Sequence, residues 1–154
     1  MALRPYEDYA LQNNRLHPEC RAILAPFFSR HVLDNTKVRV LTNVLDWVNV
    51  VGLRGCMVLM GTITVIPGLL DANAQINKVT WSWTTPIGIA NWAHEIVHVE
   101  QWQRHPGVVL AQYAKGLVKS WWKGKWYIHD YFPYEQEAFV VEQKVRDHYY
   151  PRGY

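Results

Sequence analysis

Five consecutive residues, His94-Glu95-Ile96-Val97-His98, carry the chemistry that can be read first. On an α-helix, residues four apart lie one above the other on the same face. Two imidazoles at that spacing can turn toward one point about 2 Å from each ring nitrogen, the ordinary zinc–nitrogen distance. Glu95 follows the first imidazole, close enough to reach a water at the metal without being a ligand itself. A bound zinc ion lowers the pKa of such a water and a neighbouring carboxylate takes its proton, so the pattern predicts hydrolysis with Glu95 as general base. Trp92, Ala93, Ile96, Val97 and Val99 around the motif are uncharged, as expected for a helix buried behind a cleft.

A catalytic zinc site needs a third protein ligand and one open position. An HExxHxxGxxH extension would require Gly at 101 and His at 104, but Gln101 and Arg104 stand there, and His105 is one residue out of step. The better source is Pro133-Tyr134-Glu135-Gln136-Glu137-Ala138. Two carboxylates two residues apart on a helix point to nearly opposite sides, so one of them should face the metal. Glu135, in an ExxA pattern, is the expected ligand. Glu137 is the alternative, otherwise a solvated carboxylate favoured near a helix N-terminus by the dipole. Gln101 reads either as a hydrogen-bond support for His98 or as a plain surface amide.

The segment His94-Glu95-Ile96-Val97-His98-Val99-Glu100-Gln101, with Pro133 to Ala138 downstream, resembles a glutamate-type zincin, or gluzincin. More closely, it is similar to short bacterial zincin-like domains with the patterns HExxHVxQ and NP[FY]ExEA. Among these is the domain found in core proteins of extracellular contractile injection systems. The resemblance spans about residues 60 to 145. It implies a zinc metallopeptidase with His94, His98 and one Glu of the last helix as ligands and Glu95 as catalytic base. It also implies a mixed α/β zincin fold with an edge strand above the cleft, a role for Thr62 to Ile66. Phe132 stands where that pattern has Asn, and Glu100 is charged where many zincins are apolar. Asp130 would suit an aspartate-type zincin, but its Gly-Thr-x-Asp context is missing.

Several elements must position these residues. His17-Pro18-Glu19-Cys20 opens an apolar-periodic run through Phe27-Phe28 that reads as a helix, interrupted or ended near Pro26. Lys37 to Leu41 alternates as a strand, and Met57 to Ile66 is rich in β-branched residues, ending in a Pro67-Gly68 turn. Thr80 to Thr85 reads as another short extended piece. Pro86 suits a first helical turn, capped by Thr84 or Thr85, and this helix should run to about Arg104. A second helix is expected from Val108 to Trp122 and a third from Pro133 to about Tyr149. The class is α+β, and residues 1–154 read as a single domain.

The 154 residues are 49% hydrophobic and 19% charged, a globular composition with a formal charge of +3. That charge is too mild and scattered to argue for nucleic acid. The Val44 to Leu70 stretch is broken by Asp46, Arg54, Pro67 and glycines, so no membrane span is expected. Met1 to Asp8 has no apolar core, which points to a cytoplasmic protein or to export by a non-classical route. Cys20 and Cys56 are expected as buried thiols rather than a disulfide. Trp81/Trp83 and Trp121/Trp122/Trp126 pack in the plainer reading, and would otherwise line a groove or face a partner. Lys115, Lys119, Lys123 and Lys125 read as a solvated helix face, with anionic lipid or a partner the other reading. His129, Tyr131, Tyr134 and His148 are candidates for stabilising an oxyanion.

The expected partner is a peptide or protein substrate. The rival reading is a zinc-bearing module that does not cleave and serves a larger assembly. A zinc hydrolase acting on a non-peptide amide or ester would look the same in sequence.

Overall fold

The computed structural model describes residues 13–40, 56–65, 85–122 and 133–151. They form helices α1 (Pro18–Leu24) and α2 (Arg30–Asn35), strands β1 (Lys37–Val40), β2 (Cys56–Leu59) and β3 (Thr62–Val65), and helices α3 (Pro86–Arg104), α4 (Pro106–Trp122) and α5 (Pro133–Tyr149). The chain is thus α+β, mostly helical with a small mixed sheet. No helix among the described residues is long and apolar enough to cross a membrane.

Local chemistry sets the helix boundaries. The His17 ring accepts from the Glu19 N–H to cap α1, and the Ser29 hydroxyl accepts from the Val32 N–H to cap α2. Thr85 caps α3 by accepting from the Gly88 N–H at 3.1 Å, with Pro86 supplying a preset first-turn φ. His105, at φ −147° and ψ 67°, ends α3, and the next residue is already Pro106 of α4. A residue before proline is driven out of the helical region, which explains the abrupt break.

The sheet order is β1-β3-β2, with β1 parallel and β2 antiparallel to β3. Thr62 to Ile66 was expected at the sheet edge, but among the described residues β3 is the central strand. Its backbone pairs with β1 on one side and β2 on the other. Ile63 and Thr64 point to opposite faces and both are 0% exposed, so β3 is covered on both sides. Arg39 donates to the Thr64 hydroxyl at 3.1 Å, tying β1 to β3 through side chains as well. The described part of the run expected from Met57 to Ile66, up to Val65, falls in two strands, because Met60 and Gly61 turn the chain at φ 50° and 75°.

Helix α3 is the hub. It packs most extensively on α5 and also touches α1, α2, α4, β2 and β3. Ile89, Ala90, Trp92, Ala93, Ile96, Val97 and Val99 are all buried along it, so its apolar surface wraps nearly all round, as in a central helix. Full burial of each large side chain contributes roughly 1.5–3 kcal/mol. Helix α5 faces it with Glu135, Ala138, Glu142, Val145 and Tyr149, a stripe at the 3- and 4-residue spacing of one helix face. Ala138 and Val145 on that stripe are fully buried, and the Tyr149 hydroxyl donates to the Ile23 carbonyl of α1.

Several expectations fall outside the described residues: the Pro67-Gly68 turn, Thr80 to Thr84, Trp81, Trp83, Trp126, Lys123, Lys125, His129, Asp130, Tyr131 and Phe132. Cys20 is buried with a free thiol, whose pKa burial drives above the ordinary range. Trp122 is exposed at the end of α4, not packed.

Candidate metal centre

His94 and His98 stand one turn apart on α3, and Glu135 reaches them from the first turn of α5. Their donor atoms lie within 4.8 Å of one another. The finer spacing is more telling. The two Nε2 atoms are 3.2 Å apart, His94 Nε2 is 3.2 Å from Glu135 Oε2, and His98 Nε2 is 3.3 Å from Glu135 Oε1. Donors about 2.0–2.1 Å from a tetrahedral zinc ion are themselves separated by about 3.3 Å. Two imidazoles and a carboxylate are also a donor set that zinc accepts. The residues therefore fit the ion on both type and spacing.

Hydrogen bonds to the outer ring nitrogens determine how each imidazole presents itself. Gln101 Nε2 donates to the Tyr134 carbonyl at 3.0 Å and to Glu137 Oε2 at 2.9 Å, both of them acceptors. That leaves Gln101 Oε1 facing His98 Nδ1 at 2.9 Å, so Nδ1 must be the protonated nitrogen. Glu142 Oε2 accepts in the same way from His94 Nδ1 at 3.1 Å. Both rings thereby turn Nε2 inward, where a lone pair can meet a cation. Without one, two lone pairs and a carboxylate converge and a proton must compensate. Burial alone would lower the His94 pKa, but hydrogen bonds donated to Glu135 and Glu142, with the charges of Glu95 and Glu135, push it up to about 10.

Glu135 faces the imidazole pair, buried at 4% exposure and in the first turn of α5, where the helix dipole favours an ionised carboxylate. Glu137 points elsewhere. It accepts from Arg104 at 2.7 Å and from Gln101, and although burial raises its pKa, these bonds hold it below the ordinary carboxylate value. It is thus neither a ligand nor merely solvated, but part of the support for His98. Gln101 is buried and fully engaged rather than a surface amide. Glu95 is half-buried beside His94.

Among the oxyanion candidates, Tyr134 is half-buried and gives its carbonyl to Gln101. His148 packs edge-on against Phe27 and Tyr149 at the far end of α5. Glu142 has no counterpart in the sequence reading. The available signal was its place seven residues after Glu135, two turns along the same face. Phe139 also packs edge-on against His94, with ring centroids 5.0 Å apart.

Fold and site together define an α+β chain with a His/His/Glu constellation between two packed helices. The chain matches no family model, no curated protein and no solved structure.

Proposed function

We propose that this chain is a zinc-dependent hydrolase domain of the zincin-like, glutamate-ligand type, cleaving peptide bonds. The observation that carries the reading is the mutual spacing of His94 Nε2, His98 Nε2 and the Glu135 carboxylate, at 3.2–3.3 Å. When bound, zinc supplies acidification of a water and polarisation of a carbonyl. The rest falls to the protein. Glu95 takes a proton from the attacking water and passes it to the leaving amine. Gln101 and Glu142 hold the imidazoles in the tautomer that leaves Nε2 open to the metal. The preference for peptide substrates rests on the resemblance carried by His94 to Gln101 and Pro133 to Ala138.

The test has two parts. Elemental analysis of the purified protein should give one zinc per chain, and a broad peptide library should reveal cleavage. Glu95→Gln should keep the zinc and reduce cleavage by orders of magnitude, since the amide cannot accept the proton. Unchanged cleavage in that variant with zinc retained would overturn the mechanism. Zinc without cleavage in the wild type would favour the non-cleaving module instead.

A further inference from the structure

We infer that Glu142, held by Arg146, is a positioning residue that sets the metal affinity of His94; this rests on the zinc reading above. The geometry is a short relay. Glu142 Oε2 accepts from His94 Nδ1 at 3.1 Å, while Glu142 Oε1 accepts from Arg146 at 2.6 Å. Arg146 lies four residues on, one turn further along α5. Each carboxylate oxygen thus has one task, and the guanidinium keeps the group aimed at the ring. Burial strengthens the effect, because the Glu142 side chain is only 16% exposed.

The two imidazoles are supported differently. His98 is held by a neutral amide, Gln101, and His94 by an anion. A carboxylate accepting from one imidazole nitrogen raises the basicity of the other, and so makes it a stronger metal ligand. The arrangement repeats a theme on the His98 side, where Arg104 binds Glu137 and Glu137 binds Gln101. On both sides an arginine balances the outer acid, so the supports add orientation to the site without adding net negative charge. His94 differs in that the acid touches the ring directly, and it should be the more strongly donating of the two ligands.

Zinc affinity, measured by competition with a chromophoric chelator, separates charge from geometry. Glu142→Gln retains an oxygen acceptor for Nδ1 but loses the charge, placing on His94 the kind of support that His98 already has. Glu142→Ala loses both. Removing such a partner weakens metal binding by about 10- to 100-fold. The alanine variant should show that loss and the glutamine variant a clearly smaller one. Arg146→Met should fall between wild type and alanine. In long-range proton–nitrogen spectra of the zinc-loaded wild type, the His94 ring should be protonated at Nδ1, and that signal should shift in Glu142→Ala.

Wild-type affinity in Glu142→Ala would overturn the inference. So would an affinity loss in the alanine variant that glutamine does not relieve, accompanied by an equal fall in the metal-free melting temperature, because the role would then be structural. Failure of the wild type to bind zinc would instead remove the zinc reading itself, and this inference with it.

Discussion

The side chains at the centre divide into those that meet at one point and those that hold them there. Glu135 and Glu137 show how sharply two residues on one helix can differ. Helix geometry points them apart, and packing of α5 on α3 turns Glu135 toward Nε2 of both histidines while Glu137 turns to Gln101 and Arg104. Glu135→Ala should therefore abolish stoichiometric zinc binding. Glu137→Ala should keep the metal and weaken it by roughly 10-fold, the scale expected for loss of an outer hydrogen-bond partner. Elemental analysis and chelator competition check both. Equal loss of zinc in the two variants would contradict the assignment of roles.

Two devices in the secondary structure have measurable consequences. The β2–β3 connection puts both Met60 and Gly61 in the left-handed region, as a type I′ hairpin requires. Glycine adopts it freely, but methionine pays about 1 kcal/mol there. Met60 is 84% exposed, so its side chain has little packing to lose. Met60→Asn should raise unfolding free energy by about 1 kcal/mol in urea titration, with an unchanged denaturant slope. Helix α3 depends on its apolar surface: Ile96, inside the motif itself, is 0% exposed. Ile96→Ala should cost about 2–5 kcal/mol, and it should reduce zinc binding only as far as it unfolds the chain. This position tests the helix as a scaffold separately from the ligands it carries.

For the chain as a whole, the centre joins α3 to α5 across 48 residues of sequence between His94 and Glu142. Ligand binding to the folded state alone should make the melting temperature rise with free zinc, by the equivalent of about 2.7 kcal/mol at 100 times the dissociation constant. The pH response should reverse with metal. In the metal-free protein the folded His94 pKa is raised to about 10 from 6.5. Its stabilising contribution is then fully present below about pH 6.5 and is lost as pH rises through 10. The zinc-loaded protein should behave oppositely at the acid end, since protons displace the metal from the imidazoles. Melting curves from pH 5 to 10, with zinc and with chelator, check this; a metal-free protein that gains stability across that range would contradict the charge assignment.

Much of this was legible because it depends on short-range rules. The spacing of His94 and His98 follows from helical periodicity, the start of α3 from Thr85 and Pro86, its end from the residue before Pro106, and α5 from Pro133 to Tyr149. That only one of Glu135 and Glu137 should face the metal needed only the rule that neighbours two apart diverge, and the ExxA pattern around Glu135 made the choice between them. What required the folded chain was every relation between distant segments. The central place of β3 depends on partners on both sides, and Met-Gly lacks the Asn-Gly signature that would have announced the hairpin. Glu142 became visible only when α5 lay along α3, because periodicity says which residues share a face but not what that face meets.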